Sequence, residues 1–202
     1  VSDAVPADAA APGRALRTRY PQAGTEGINA AALLDGRVVT AGAQGVGSLD
    51  AATLVRSGVV STTGDAAGVA SLEAFPVDLN SDGTVATDER ADLALVSNGV
   101  DGTLQIFSVP ATGAPTLLSV VRFAEATQGV TVDAAERLAY VSIGSRGLAV
   151  VDLSGRMSIQ PIDENRDALD DRILGIVDTP GSARRAALAL DRGLGFVADG
   201  VG

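Results

Sequence analysis

The stretch ERLAYVSIGSRGLAVVDL, from Glu136 to Leu153, contains two short apolar runs separated by a glycine-rich break. The first run ends at Gly144, and the second begins directly after Gly147. Short apolar and β-branched runs bounded by glycine are typical of strands, and a tight hairpin favours glycine because its turn needs positive φ. The stretch therefore predicts a β-hairpin whose turn has the pattern G-x-x-G.

Similar segments occur elsewhere in the chain. They are LLDGRVVTAGAQGVGSLD from Leu33, ADLALVSNGVDGTLQIFSV from Ala91 and RGLGFVADGVG from Arg192. The first glycines of the four breaks are Gly42, Gly99, Gly144 and Gly200, which lie 57, 45 and 56 residues apart. A unit of about 45 residues suits a four-stranded propeller blade, so the two longer units are expected to carry insertions.

The quoted segments also resemble a known group of repeats. RLAYVSIGSRGLAVVDLSG and GLGFVADGVG are similar to the LVIVD-type repeats of bacterial β-propellers, whose units read approximately YVADGxxGLxVVDV. The resemblance covers residues 27–202 and is best at 129–153 and 186–202. It implies blade architecture and assigns no catalytic residue.

We therefore expect an all-β chain. Residues 1–24, rich in Ala, Pro and Gly, are predicted to be an N-terminal tail or linker, and residues 25–202 a partial β-propeller of about three and a half blades. This is an incomplete ring, because closed propellers have four to eight blades. Another chain or a further segment would complete it. A β-sandwich of similar hairpins is the alternative.

The segment DLNSDGTVATDE, from Asp78 to Glu89, matches the calcium-loop pattern D-x-[DN]-x-[DN]-G-x5-E. Its flanks favour strands, so we expect the ion loop without the two helices of an EF-hand. Val85 is expected to anchor the loop to the core, and Gly83 to allow its sharp turn. The predicted oxygen ligands are Asp78, Asn80, Asp82, the Thr84 carbonyl and a bidentate Glu89. The alternative is a surface turn rich in Asp and Asn.

A second acidic segment, PIDENRDALDD, begins at Pro161. It is similar to the D-x-[DN]-x-D-G-x-x-D loops of integrin-type propeller repeats, with Ala168 where glycine is usual. The predicted ligands are Asp163, Asn165, Asp167, the Leu169 carbonyl and Asp171. Arg166 and Arg172 are alternative partners for these acids, and a solvated acidic turn is the alternative structure. The two segments together predict two Ca²⁺ ions.

Composition limits the classes of function. The chain has 202 residues, 25 acidic against 15 basic, for a net charge of −10, and every basic residue is arginine. Such a charge argues against nucleic acid as a partner. Histidine and cysteine are absent, which removes Ser-His-Asp triads and zinc-thiolate sites. No apolar run is long enough to span a membrane, so no membrane insertion is expected.

These observations favour a non-catalytic module, with no catalytic residues assigned. We expect a calcium-stabilised scaffold for adhesion or protein binding on an exported or cell-surface bacterial protein, because extracellular calcium is millimolar and would fill weak sites. A metal-dependent hydrolase or lactonase-like propeller enzyme is the second hypothesis. A purely structural fragment of a larger chain is the third.

Overall fold

A computed structural model of the chain describes residues 27–80 and 84–200. The tail predicted over residues 1–24 lies outside the described residues. Within the described part the protein is all-β, as predicted, with two short 3₁₀ turns at Gly99–Asp101 and Leu190–Arg192 and no α-helix. No helix in these two described ranges is long and apolar enough to cross a membrane.

The strands form four antiparallel sheets in which each strand pairs with the next along the chain. The first sheet contains β1 (Ile28–Leu34), β2 (Arg37–Gly42), β3 (Gly45–Asp50) and β4 (Arg56–Val60). The second contains β5 (Gly68–Pro76), β6 (Arg90–Ser97), β7 (Thr103–Ser108) and β8 (Thr116–Arg122). The third contains β9 (Gly129–Asp133), β10 (Leu138–Ser142), β11 (Leu148–Asp152) and β12 (Ile173–Val177). The fourth contains β13 (Ser182–Ala189) and β14 (Leu194–Gly200).

The G-x-x-G pairs form the turns between the second and third strands of the first three sheets, as predicted. Gly147 shows why glycine is needed there. Its φ is +84°, and a Cβ at this position would lie 2.1 Å from the carbonyl oxygen of Val177 at the end of β12. A Cβ at Gly45 would lie at the same distance, 2.1 Å, from the carbonyl oxygen of Val60 at the end of β4. The turn therefore packs directly against the end of the fourth strand, where any side chain would displace backbone.

The third strands of the first and third sheets end at an aspartate that caps the following turn. Asp50 accepts hydrogen bonds from the backbone N–H and the hydroxyl of Thr53, at 2.7 and 2.8 Å, and these bonds lower the pKa of Asp50. Asp152 accepts the corresponding bonds from Ser154 at 2.7 and 2.6 Å. These aspartates fix the direction in which the chain leaves each third strand.

The core lies between the faces of neighbouring sheets and is mainly aliphatic. One cluster joins the second and third sheets around Leu95, Ile106 and Val141, and another joins the first and second sheets around Val39 and Phe107. The first strands of successive sheets pack side by side, β1 against β5, β5 against β9 and β9 against β13. The sheets are therefore arranged around their first strands, and the set does not close on itself.

Both acidic segments are insertions between strands, as expected from the longer repeat units. The first joins β5 to β6 and the second joins β11 to β12. In an antiparallel meander the turn between strands one and two and the turn between strands three and four lie at the same end of the sheet. Both insertions therefore lie at the end of the sheets opposite to the G-x-x-G turns.

Candidate metal centre

The connection between β11 and β12 brings three carboxylates together. One oxygen from each of Asp163, Asp167 and Asp171 lies within 4.8 Å of the other two. Two oxygens bound to the same calcium at 2.3–2.6 Å are at most about 5 Å apart. The spacing of the three carboxylates is therefore compatible with one shared cation.

Backbone turns hold these carboxylates on the inside of the loop. The N–H of Asp167 donates to Asp163 Oδ1 at 3.0 Å and to Asn165 Oδ1 at 2.9 Å. The N–H of Leu169 donates to Asp167 Oδ1 at 2.8 Å. Ala168 has φ +67°, the left-handed conformation that glycine usually adopts in such loops. The turn thus forms with alanine at this position, at some cost in backbone strain.

Asp171 gives the most specific indication that this loop binds a cation. Its Oδ2 accepts a hydrogen bond from the N–H of Glu164 at 2.7 Å. Its Oδ1 is buried and has no hydrogen-bond partner within the described part of the chain. A buried carboxylate oxygen without a partner costs free energy, and a cation in the loop would satisfy it.

The remaining predicted ligands of this loop lie beside the three carboxylates. The amide nitrogen of Asn165 is 3.2 Å from Asp167 Oδ2, and Leu169 is exposed. Calcium coordination by Asn165 and by the Leu169 carbonyl stays a prediction.

A buried ion pair anchors the loop to the neighbouring sheet. Arg172 contacts both carboxylate oxygens of Asp170, at 2.7 Å from Nε and 2.6 Å from a terminal nitrogen. The same guanidinium donates to the carbonyl oxygen of Val120 at 2.7 Å and to the hydroxyl of Ser119, both on β8. Arg172 therefore pairs with an acid outside the predicted ligand set and leaves the three clustered carboxylates without a guanidinium.

The sequence interpretation had not assigned a role to Asp170. The pair Asp170–Arg172 is separated by only two residues in a loop, and its burial depends on β8, some fifty residues earlier in the chain. Arg166, the other arginine considered as a partner, makes no ion pair with the described residues.

The first acidic loop is described only in part. The predicted ligand Asp82 and the turn residue Gly83 lie outside the described residues. Asp78 is buried two residues after the end of β5, whereas Asn80 and Thr84 are exposed. The loop is therefore bounded by a buried carboxylate at its first position, and its full ligand set stays a prediction.

Glu89 closes the base of this loop. Its Oε2 accepts a hydrogen bond from the N–H of Ala86 at 2.9 Å, and its carbonyl oxygen accepts one from Val77 at 3.2 Å. The expectation that Val85 anchors the loop in the core is wrong, because its side chain is 37% exposed. Val77, buried directly after β5, packs into the core at the base of the loop instead.

Two comparisons with known proteins add no relative. No family model matches the chain. No curated protein matches it either. The resemblance to LVIVD-type repeats therefore stays a prediction from the residues.

Proposed function

We propose that this chain is a non-catalytic, calcium-stabilised β-propeller module of an exported or cell-surface bacterial protein, serving as a scaffold for adhesion or protein binding. The observation that carries the proposal is the Asp163–Asp167–Asp171 cluster, with its buried and unpartnered Asp171 oxygen. A loop of this kind, built into a repeated sheet, stabilises the fold when a cation neutralises its carboxylates.

The arrangement of the sheets supports the propeller part of the proposal. Three consecutive sheets are four-stranded meanders, and the first strands of all four sheets lie side by side. Blades of a propeller have this order, with the first strand nearest the axis. A β-sandwich consists of two packed sheets, whereas here the second sheet packs against both the first and the third.

Exposed apolar side chains support completion of the ring by further strands. In the fourth sheet, Leu194 and Phe196 on β14 are 50% and 60% exposed. On β12, Leu174 and Val177 are 61% and 60% exposed. Two more strands beside β14, matching the four-stranded sheets, would pair its free edge and cover β12. We propose that another chain or a further segment supplies them.

The position of the acidic cluster favours a structural role for the ion. The cluster lies in a connection between β11 and β12, the two outermost strands of the third sheet. A hydrolytic metal would instead be expected in a central funnel with free coordination positions. Because extracellular calcium is millimolar, we propose an exported or cell-surface location.

Thermal melts of chelator-treated protein test this proposal. Calcium should raise the melting temperature, by an amount equivalent to about 2.7 kcal/mol at a hundredfold excess over Kd, and magnesium should do so poorly. Glu89→Gln and Asp171→Asn should each reduce the shift, with the larger loss for Glu89→Gln because that residue is the predicted bidentate ligand. Asp191→Asn, in an exposed turn outside both loops, is the control. An equal response to calcium in all four proteins would contradict the proposal.

A further inference from the structure

A cavity of about 230 Å³ lies where the first strands of the four sheets meet. Its lining comes from near the start of β1, β5, β9 and β13, which is the end of the sheets that carries the G-x-x-G turns. The cavity is thus at the opposite end of the molecule from both acidic loops. Its lining residues include Ala30, Ala31, Gly68, Gly129, Thr131 and Arg185.

Small residues keep this space open. At Gly129 a Cβ would lie 2.8 Å from the carbonyl oxygen of Arg184 and 3.3 Å from Cγ of Arg185, so glycine is required for the close approach of β9 and β13. The hydroxyl of Thr131 donates to the carbonyl oxygen of Ala186 at 3.0 Å and joins the same two strands. The part of β13 that carries Arg185 is therefore held against β9 by close packing and by a hydrogen bond.

Among the described residues that line the cavity, Arg185 is the one that is ionisable. Its guanidinium makes no hydrogen bond or ion pair with the described residues, although acids outnumber arginines in this chain by 25 to 15. Arg37 and Arg172 pair with Asp92 and Asp170, whereas Arg185, like Arg166 and Arg184, has no ion pair with the described residues. Arg185, an exposed residue, thus adds a positive charge with no ion-pair partner among the described residues to a lining that holds no acidic side chain.

The backbone around the cavity adds hydrogen-bonding groups. Within the described sheets each first strand is an edge strand that pairs with the second strand of its sheet, and β13 also forms a single bridge from Ala183 to Gly144. Alternate N–H and C=O groups of such a strand point away from its partner. At roughly 30 Å³ per water, the space corresponds to about eight water molecules, which suits a small molecule.

We propose that this cavity binds a small oxyanion, a carboxylate or a tetrahedral anion, through Arg185. The planar guanidinium matches the paired oxygens of such anions and can donate two parallel hydrogen bonds to them. First-strand N–H groups would hold the rest of the ligand. The proposal does not depend on the calcium loops.

Calorimetric titration of the full chain with succinate and, separately, with sulfate at low ionic strength tests this proposal. At least one anion should bind saturably, and the stronger of the two identifies the chemistry of the site. Arg185→Gln should weaken that binding about tenfold or more, the loss typical of one charge-assisted contact. Arg184→Gln is a matched control, because Arg184 is adjacent to Arg185 on β13 and is exposed as Arg185 is, but does not line the cavity. The affinity of Arg184→Gln for the anion should stay within about twofold of that of the unmodified chain, because only the longer-range electrostatic potential at the cavity changes.

A second variant tests the cavity itself. Ala31→Leu keeps Arg185 and fills the space, so it should abolish binding while the thermal melt remains cooperative. Failure of both anions to bind would overturn the proposal. Equal weakening in Arg184→Gln and Arg185→Gln, or undiminished binding in Ala31→Leu, would overturn it as well, because the anion would then lie on the surface.

Discussion

Replacement of Arg172 by methionine is expected to be the most damaging single change in the second acidic loop. The side chains of Asp170 and Arg172 are 1% and 7% exposed. Without the guanidinium, Asp170 would keep a buried carboxylate with no cationic partner, and the carbonyl oxygen of Val120 would lose a donor at 2.7 Å. Removal of one partner of a buried ion pair typically costs about 3–5 kcal/mol.

Urea unfolding followed by circular dichroism at fixed calcium measures this loss. Arg172→Met should lower the free energy of unfolding by about 3–5 kcal/mol. Arg192→Met is the matched control, because the Arg192–Asp191 pair is 3.7 Å apart with side chains 75% and 78% exposed, and exposed pairs contribute little. Its cost should stay within about 0.5 kcal/mol.

A double variant separates the burial of charge from the loss of packing. Asp170→Ala combined with Arg172→Met removes both charges, so it should cost less than the sum of the two single changes. The reasoning is refuted if Arg172→Met costs no more than Arg192→Met. It is also refuted if the two single changes at Asp170 and Arg172 are simply additive.

Three further predictions follow from single positions and from the exposed sheet. Gly147→Ala should lower the free energy of unfolding by more than about 1 kcal/mol in the same urea assay, because Gly147 has a positive φ and a Cβ there would clash with the carbonyl oxygen of Val177. Gly155→Ala is the control and should be nearly neutral, because the space around Gly155 is open. Ala168→Gly should relieve backbone strain and raise stability by several tenths of a kcal/mol, and a loss of stability would contradict the left-handed turn. In light scattering the purified chain should associate through its uncovered strands, and a well-folded monomer that does not aggregate would count against completion by further strands.

The strands were predictable because their signals are local. Alternation of apolar runs with G-x-x-G breaks predicted the turns at Gly45 and Gly147, and both positions carry the positive φ that the pattern implies. The position of the second acidic loop followed from the length of its repeat unit. Its turn at Ala168 adopts the expected backbone even though the residue type is unfavourable.

Other features depend on contacts between distant segments, which the sequence pattern does not contain. The burial of Arg172 requires Ser119 and Val120 of the neighbouring sheet. Val85 was misassigned because the eighth position of a calcium loop was assumed to face a core, whereas Val77 takes that place at the base of this loop. The cavity around Arg185 is formed by four first strands, and none of them carries a motif that marks the meeting point.

Calorimetric titration of calcium into chelator-treated protein tests the central claim most directly. We predict two bound ions, with the loop from Asp78 to Glu89 tighter than the loop from Asp163 to Asp171, because the first has glycine at its turn and a bidentate glutamate. Removal of the Asp171 carboxylate by Asp171→Ala should eliminate the weaker site alone. If millimolar calcium produces neither heat nor a shift in the melting temperature, both segments are ordinary acidic turns and the account is contradicted.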